Sequence, residues 1–225
     1  MAAWLIHAKL QWRTLRCQHQ LFKDYYQSLI PLIDQPISQA PLIAIDLEMT
    51  GLDPFKDQIL SIGLVPIENG VIPLSHAQQK LVQIRGSVGQ SAIIHGILDN
   101  HLTQAVSIEE AMAWFMEQTR GRVLVAHHSP LDCRFLQQDI LAIYHQAVLL
   151  PAIDTLVLEK QRLLREHSVL KDGCLRLGAC RERYGLPIYG AHSALTDALA
   201  CAELLLAQVA AMGGGADISV GDLLT

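Results

Sequence analysis

Ile43-Ala44-Ile45-Asp46-Leu47-Glu48-Met49-Thr50-Gly51 is the stretch on which the reading of this chain turns. Leu42 to Leu47 is a short apolar run that ends among acids, which predicts a buried β-strand. Side chains alternate along a strand, so Asp46 and Glu48 point to the same face. Two like charges placed that way repel one another and favour protonation. A divalent cation between them reverses that penalty, and hard carboxylate oxygens suit magnesium. Two exposed acids on a strand that simply surfaces there would be the plain alternative. The apolar lead-in and the Thr50-Gly51 turn argue against it.

Outward from this strand, residues 58–67 and 71–84 read as two strands around Glu68-Asn69-Gly70, since Asn-Gly is a strong hairpin signal. Ser107 to Arg120 reads as a helix with Glu109 and Glu110 in its first turn. Arg122 to Ala126 is a second buried strand, followed by a helix from Pro130 to Tyr144. A short strand near 149–153 precedes helices over 155–165, 172–184 and 194–212, the last stopped by Gly213 to Gly215. A hairpin followed by strands alternating with helices predicts an α/β fold, a mixed sheet flanked by helices. Residues 1–34 place Trp4, Leu5, Ala8, Trp12, Leu15, Phe22 and Leu29 near helical spacing before Pro31, Pro36 and Pro41 break the pattern. The expected organisation is an N-terminal helical extension and linker (1–40), a main domain (41–212) and a mobile tail (213–225).

The 225 residues are 51% apolar, enough for a sizeable core. The most apolar stretch, Ala194 to Met212, carries Asp197 and Glu203 and reads as a buried helix, so no membrane partner is expected. Five cysteines without a C-x-x-C pair argue against a disulfide framework or a zinc site. The cytoplasm is the expected compartment, although the acid-free first 23 residues share their composition with mitochondrial transit peptides. The net charge of −5 is unlike that of a protein gripping many phosphates of a duplex. The bases are uneven, however. Lys160, Arg162, Arg165, Lys171, Arg176, Arg181 and Arg183 face only Glu166, Asp172 and Glu182 over 160–183. Such a cluster is either a solvated helical face or a surface that follows a nucleic-acid strand.

Two further segments carry chemistry. In Val123-Leu124-Val125-Ala126-His127-His128-Ser129-Pro130-Leu131-Asp132, Ser129 can cap the helix, Pro130 fits its first turn and Asp132 completes a capping box. Read alone, Asp132 is structural, yet the end of a strand entering a helix is where α/β sheets hold ligands. In Ala191-His192-Ser193-Ala194-Leu195-Thr196-Asp197-Ala198, Ser193 is the expected cap and Asp197 falls on the apolar stripe Ala194, Ala198, Cys201, Leu204, Leu205. An isolated carboxylate there calls for a cation or a strong donor. His192, just outside the helix, is placed to act as a base near neutral pH.

In order and spacing, these three segments resemble the exonuclease motifs of the DnaQ-like, or DEDDh, 3′–5′ exonucleases. That family includes the proofreading subunit of bacterial DNA polymerase III. The resemblance covers residues 40–210 and is supported by Ile94-His95-Gly96-Ile97, Asp154-Thr155-Leu156 and the run from Leu175 through Tyr184-Gly185-Leu186-Pro187.

It implies a ribonuclease H-like fold and a hydrolase that releases 5′-mononucleotides from a single-stranded or frayed 3′ end of DNA. It further implies two magnesium ions, replaceable by manganese, held by Asp46, Glu48 and Asp197. Asp132 would support the second ion, and His192 would take a proton from the attacking water. The backbone around Met49, Thr50 and Gly51, with His95 nearby, would seat the terminal nucleotide. Two positions depart from the family pattern: His128 replaces the usual Asn, and Leu131 the usual Phe. The run Asp46 to Pro54 also resembles oligoribonuclease, which keeps RNA open as the substrate. The N-terminal helix is the expected contact for a polymerase or another protein. A non-catalytic interaction module is the remaining reading, against which the clustered carboxylates speak.

Overall fold

Leu42–Met49 forms strand β1, and its neighbours explain why its first four residues are all buried. The computed structural model describes residues 3–166, 168–190 and 192–225; residues 1–2 of the N-terminal extension and Ala191 of the third motif lie outside them. β1 pairs antiparallel with β2 (Ile59–Ile67) on one side and parallel with β4 (Val123–Ala126) on the other. β3 (Gln78–Leu81) and β5 (Ala152–Asp154) complete a five-stranded sheet of order β3-β2-β1-β4-β5. β2 and β4 are buried at every position, as strands covered on both faces must be. This is the mixed sheet flanked by helices that the sequence predicts.

The hairpin turn also follows expectation. Asn69 and Gly70 take positive φ (51° and 72°), and Glu68 and Val71 pair across them. The second arm is shorter than 71–84, because Pro73 offers no amide and residues 74–76 coil into a short 3-10 turn. Residues 89–104, read only as a loop, contain two 3-10 turns around the short helix α3 (Ala92–His95). Leu60, Val88, Ile97 and Leu102 form a small separate cluster beneath this segment.

α4 (Ile108–Thr119) begins with Ser107 and Glu110 in a reciprocal capping box. α5 (Ser129–Tyr144) leaves β4, and α6 (Thr155–Glu166) leaves β5. α7 (Leu177–Arg183) is shorter than the expected 172–184, because Gly173 sits in the left-handed region and 171–176 forms turns. α8 (Ala194–Ala211) is long and apolar enough to cross a bilayer, but half of it is buried where it lies across β1 and β2.

The two ends of the chain depart from expectation. The N-terminal segment is two helices, α1 (Ala3–Arg16) and α2 (Gln20–Leu29), and Leu10, Phe22, Tyr25, Tyr26 and Leu29 join the main core. The proline-rich stretch after them is not a loose linker, since Ile33, Ile37 and Ala40 are buried. Nor are residues 213–225 a mobile tail. Gly213, Gly214 and Gly215 all take positive φ and turn the chain back. Ile218 then accepts from the Ile37 amide, and the Val220 and Gly221 amides donate to Gln35 and Ile33. α9 (Val220–Leu223) closes the chain, with Val220 and Leu223 buried. Three glycines read as flexibility because glycine permits many conformations; here packing selects one.

Candidate active site

Asp46 and Glu48 lie two residues apart near the carboxyl end of β1, on one face as alternation requires. The β1–β2 register slips between Glu48 and Met49, so regular pairing ends at the site. Asp197 comes from the first turn of α8. Oxygens of Asp46, Glu48 and Asp197 all lie within 4.8 Å of one another. Three hard anionic donors converging at that distance fit a divalent cation, the chemistry that their spacing in sequence suggests.

α8 approaches this closely because of Gly63, which faces Asp46 across the β1–β2 ladder. A Cβ on Gly63 would stand 2.2 Å from the Ala194 carbonyl oxygen and 2.5 Å from the Leu195 nitrogen. Glycine thus lets the start of the helix rest on the strand opposite Asp46. Sequence reading passed over this residue, though glycine inside a buried strand is itself a sign of close backbone approach.

Asp132 is buried on the first turn of α5 and stands outside the three-oxygen group. It does not serve in a capping box. The capping position falls on His128, whose φ is 76°, and no side chain of the helix caps it. Asp154, at the end of β5, does that work from a neighbouring strand. Its carboxylate accepts from the His128 and Ser129 amides (both 3.0 Å) and the Ser129 hydroxyl (3.2 Å). It also accepts from the Leu156 and Val157 amides at the start of α6. Asp154 therefore anchors two helix starts, and Asp132 is left free to face β1. His128 occupies a left-handed conformation that Asn and His tolerate better than most residues, so its replacement of the family's Asn preserves the backbone.

The electrostatics follow from crowding. Burial, then Asp132, Asp197 and Glu48, hold the Asp46 carboxyl well above the usual range. Burial and Asp197 push Glu48 up to about 7. Burial raises Asp132 to about 7 despite the opposing amides of Asp132 itself and Leu47. With no cation, this edge is an acid cluster that resists full ionisation.

Ser193 stands at the capping position of α8, but its side chain makes no capping bond. Instead Asp197 accepts from the His192 amide at 2.8 Å, with His192 at φ 71° and its side chain exposed. Burial and then the neighbouring His192 hold His95 below its ordinary pKa. His95 Nδ1 accepts from the Ile97 amide at 3.1 Å, which places its proton on Nε2. That Nε2 is buried without a partner among the described residues. The Thr50-Gly51 turn is fixed by Asp57, which accepts from the Thr50 hydroxyl and the Asp53 amide. A Cβ at Gly51 would meet that carboxylate at 2.4 Å.

This fold and carboxylate set define a class, the exonucleases built on a ribonuclease H-like sheet. A model of the RNase T exonuclease family matches residues 43–205, and the chain belongs to that family. It is 33% identical over 179 residues to DNA polymerase III PolC-type of Thermotoga petrophila, covering 80% of this chain and 12% of that protein. It is 27% identical over 169 residues to DNA polymerase III subunit epsilon of Treponema pallidum, covering 74% and 75% respectively. The nuclease domain of 3′hExo, a DEDDh family member, superposes with a TM-score of 0.65 at 15% identity, covering 80% of this chain and 96% of that one. The chain thus spans a small part of the PolC-type relatives' length.

Proposed function

We propose that this chain hydrolyses the last phosphodiester at the 3′ end of a DNA strand and releases 5′-mononucleotides. The observation that carries this reading is the convergence of Asp46, Glu48 and Asp197 from a strand and a helix far apart in sequence. These three would hold two magnesium ions, or manganese in their place, with Asp132 supporting the second directly or through water. When bound, such ions activate a water and stabilise the leaving 3′ oxygen.

His192 takes the proton of the attacking water. Its side chain is open to solvent, and the hydrogen bond its backbone N–H donates to the Asp197 carboxylate ties the base to a metal ligand. His95 offers the Nε2–H to the terminal nucleotide, which rests on the fixed backbone of Met49, Thr50 and Gly51. A protein partner, such as a polymerase, would find an apolar face on α1. There Trp4 and Leu15 are 69% and 85% exposed, beside the basic Arg13 and Arg16.

RNA is the second reading. The run Asp46 to Pro54 supports it, as does the description of 3′hExo as bound to rAMP. The test is a 5′-labelled single strand, as DNA and as RNA, incubated with magnesium and with chelator. A magnesium-dependent ladder shrinking from the 3′ end is expected, faster on DNA. No shortening of either strand by folded protein would sink the enzyme reading in favour of an interaction module.

A further inference from the structure

Six of the seven bases between 160 and 183 divide into two groups, while Arg165, in the last turn of α6, lines a separate cleft. Arg181 is buried and bonds the Ala200 and Pro187 carbonyls and Glu203. Arg162 and Arg183 both pair with the buried Glu159. Arg181 and Arg183 fasten α7 to α8 and to α6, and Arg162 braces Glu159 within α6. Lys160, Lys171 and Arg176 instead have exposed side chains and line one open cleft of ≈ 560 Å³, in which Asp172 is the only acid among the described residues.

We propose that this cleft is the track of the nucleic-acid strand upstream of the cleaved bond, with Lys160, Lys171 and Arg176 holding its backbone phosphates. The inference rests on the nuclease reading above. Position supports it first. β1, β4 and β5 run parallel, and the cleft opens where β4 and β5 end, at His128 and Leu156. Adjacent strands lie about 4.8 Å apart, so the cleft begins roughly 5–10 Å from the carboxylates of β1, along the same edge of the sheet. His128 on its wall directly precedes α5, the helix that carries Asp132.

The wall is also preformed. His127 Nε2 donates to the Leu175 carbonyl (2.8 Å), while its Nδ1 meets the Thr155 hydroxyl (2.9 Å). Arg183 bonds the Cys174 carbonyl. Residues 171–176 are thereby fastened to the sheet before any strand arrives. Charge supplies the need. A chain of net charge −5 with an acid cluster at its site repels a polyanion, and cations must be concentrated where the strand runs.

The test compares two substrates in the intact chain carrying Lys160→Gln, Lys171→Gln and Arg176→Gln together. One is a 12-nucleotide single strand; the other is the p-nitrophenyl ester of thymidine 5′-monophosphate, which has no upstream strand. Relative to the ester, kcat/KM on the 12-mer is expected to fall roughly 10- to 100-fold, through KM, and its slope against log salt to flatten by about 2 for three lost single-strand contacts. Equal losses on both substrates, or an unchanged slope, would overturn the track. Anisotropy of the labelled 12-mer in chelator separates the two failures. If the parent chain cuts neither substrate, the nuclease reading fails, but the track stands or falls on whether the triple variant binds at least 10-fold more weakly. The single Gln variants give the same comparison should the triple variant lose its thermal transition.

Discussion

Asp46 and Asp154 stand at the same edge of the sheet, at the ends of two parallel strands, yet their surroundings are opposite. Asp154 receives four backbone amides and a hydroxyl. Asp46 receives three more carboxylates. A buried carboxylate surrounded by donors is a structural device, because its charge is already neutralised by fixed dipoles. One surrounded by like charge is unfinished, and only a cation completes it. Burial alone does not separate the two roles; the sign of the neighbours does.

Substitution at both positions should break the comparison in opposite ways. Asp46→Asn is expected to lower turnover at least about 10³-fold while the melting temperature in chelator stays level or rises, since like-charge repulsion is relieved. Asp154→Ala is expected to cost roughly 3 kcal/mol or more, by leaving buried amides without an acceptor. A destabilised Asp46→Asn with a stable Asp154→Ala would invert the argument. His192→Ala should reduce turnover by roughly 10²- to 10⁴-fold without change in melting temperature. Near-normal turnover would remove His192 from the chemistry. Gly63→Ala should cost about 1–3 kcal/mol by pushing α8 off β2, and lose activity as Asp197 moves from Asp46. Full activity in a melted-down variant, or full stability in an inactive one, would uncouple the packing from the site.

The smallest effect is pH-dependent. Glu48 has its carboxyl raised in the folded chain from 4.5 up to about 7. The folded state therefore binds a proton that the unfolded state releases. The stability so gained is present below pH 4.5 and is lost as pH rises through about 7. In chelator, the stability of the parent chain relative to Glu48→Gln should fall across that window. Magnesium should reverse the fall, and a flat difference would show that Glu48 does not feel its neighbours.

Much of this was legible in the sequence, and what was missed was missed for physical reasons. β1 and β4 are continuous apolar runs, and strand periodicity alone puts Asp46 beside Glu48. The start of α4 was legible because Glu109 and Glu110 mark its first turn, and the structure adds the reciprocal cap between Ser107 and Glu110. The α5 cap was misread because its true partner, Asp154, lies 25 residues from Ser129 and meets it only in the folded sheet. Asp132 was freed for β1 by that distant exchange. Among the bases, charge counting could not separate Arg181, turned inward onto Glu203, from Arg176, turned out into a cleft. The C-terminal segment was called mobile because glycines were weighed without the surface on which they lie.

That segment also covers an edge of the sheet. β5 is an outer strand, with β4 on one side only. On its open side Leu224 pairs with Ile153, and the Thr225 amide donates to the Ala152 carbonyl. The last residues thus act as a selvage, the woven border that stops a fabric from unravelling or catching on another. Stripped of residues 219–225, β5 would present unpaired backbone groups to any passing strand. Light scattering of such a truncated chain should show more self-association than the full chain, and an unchanged particle size would show the border to be dispensable.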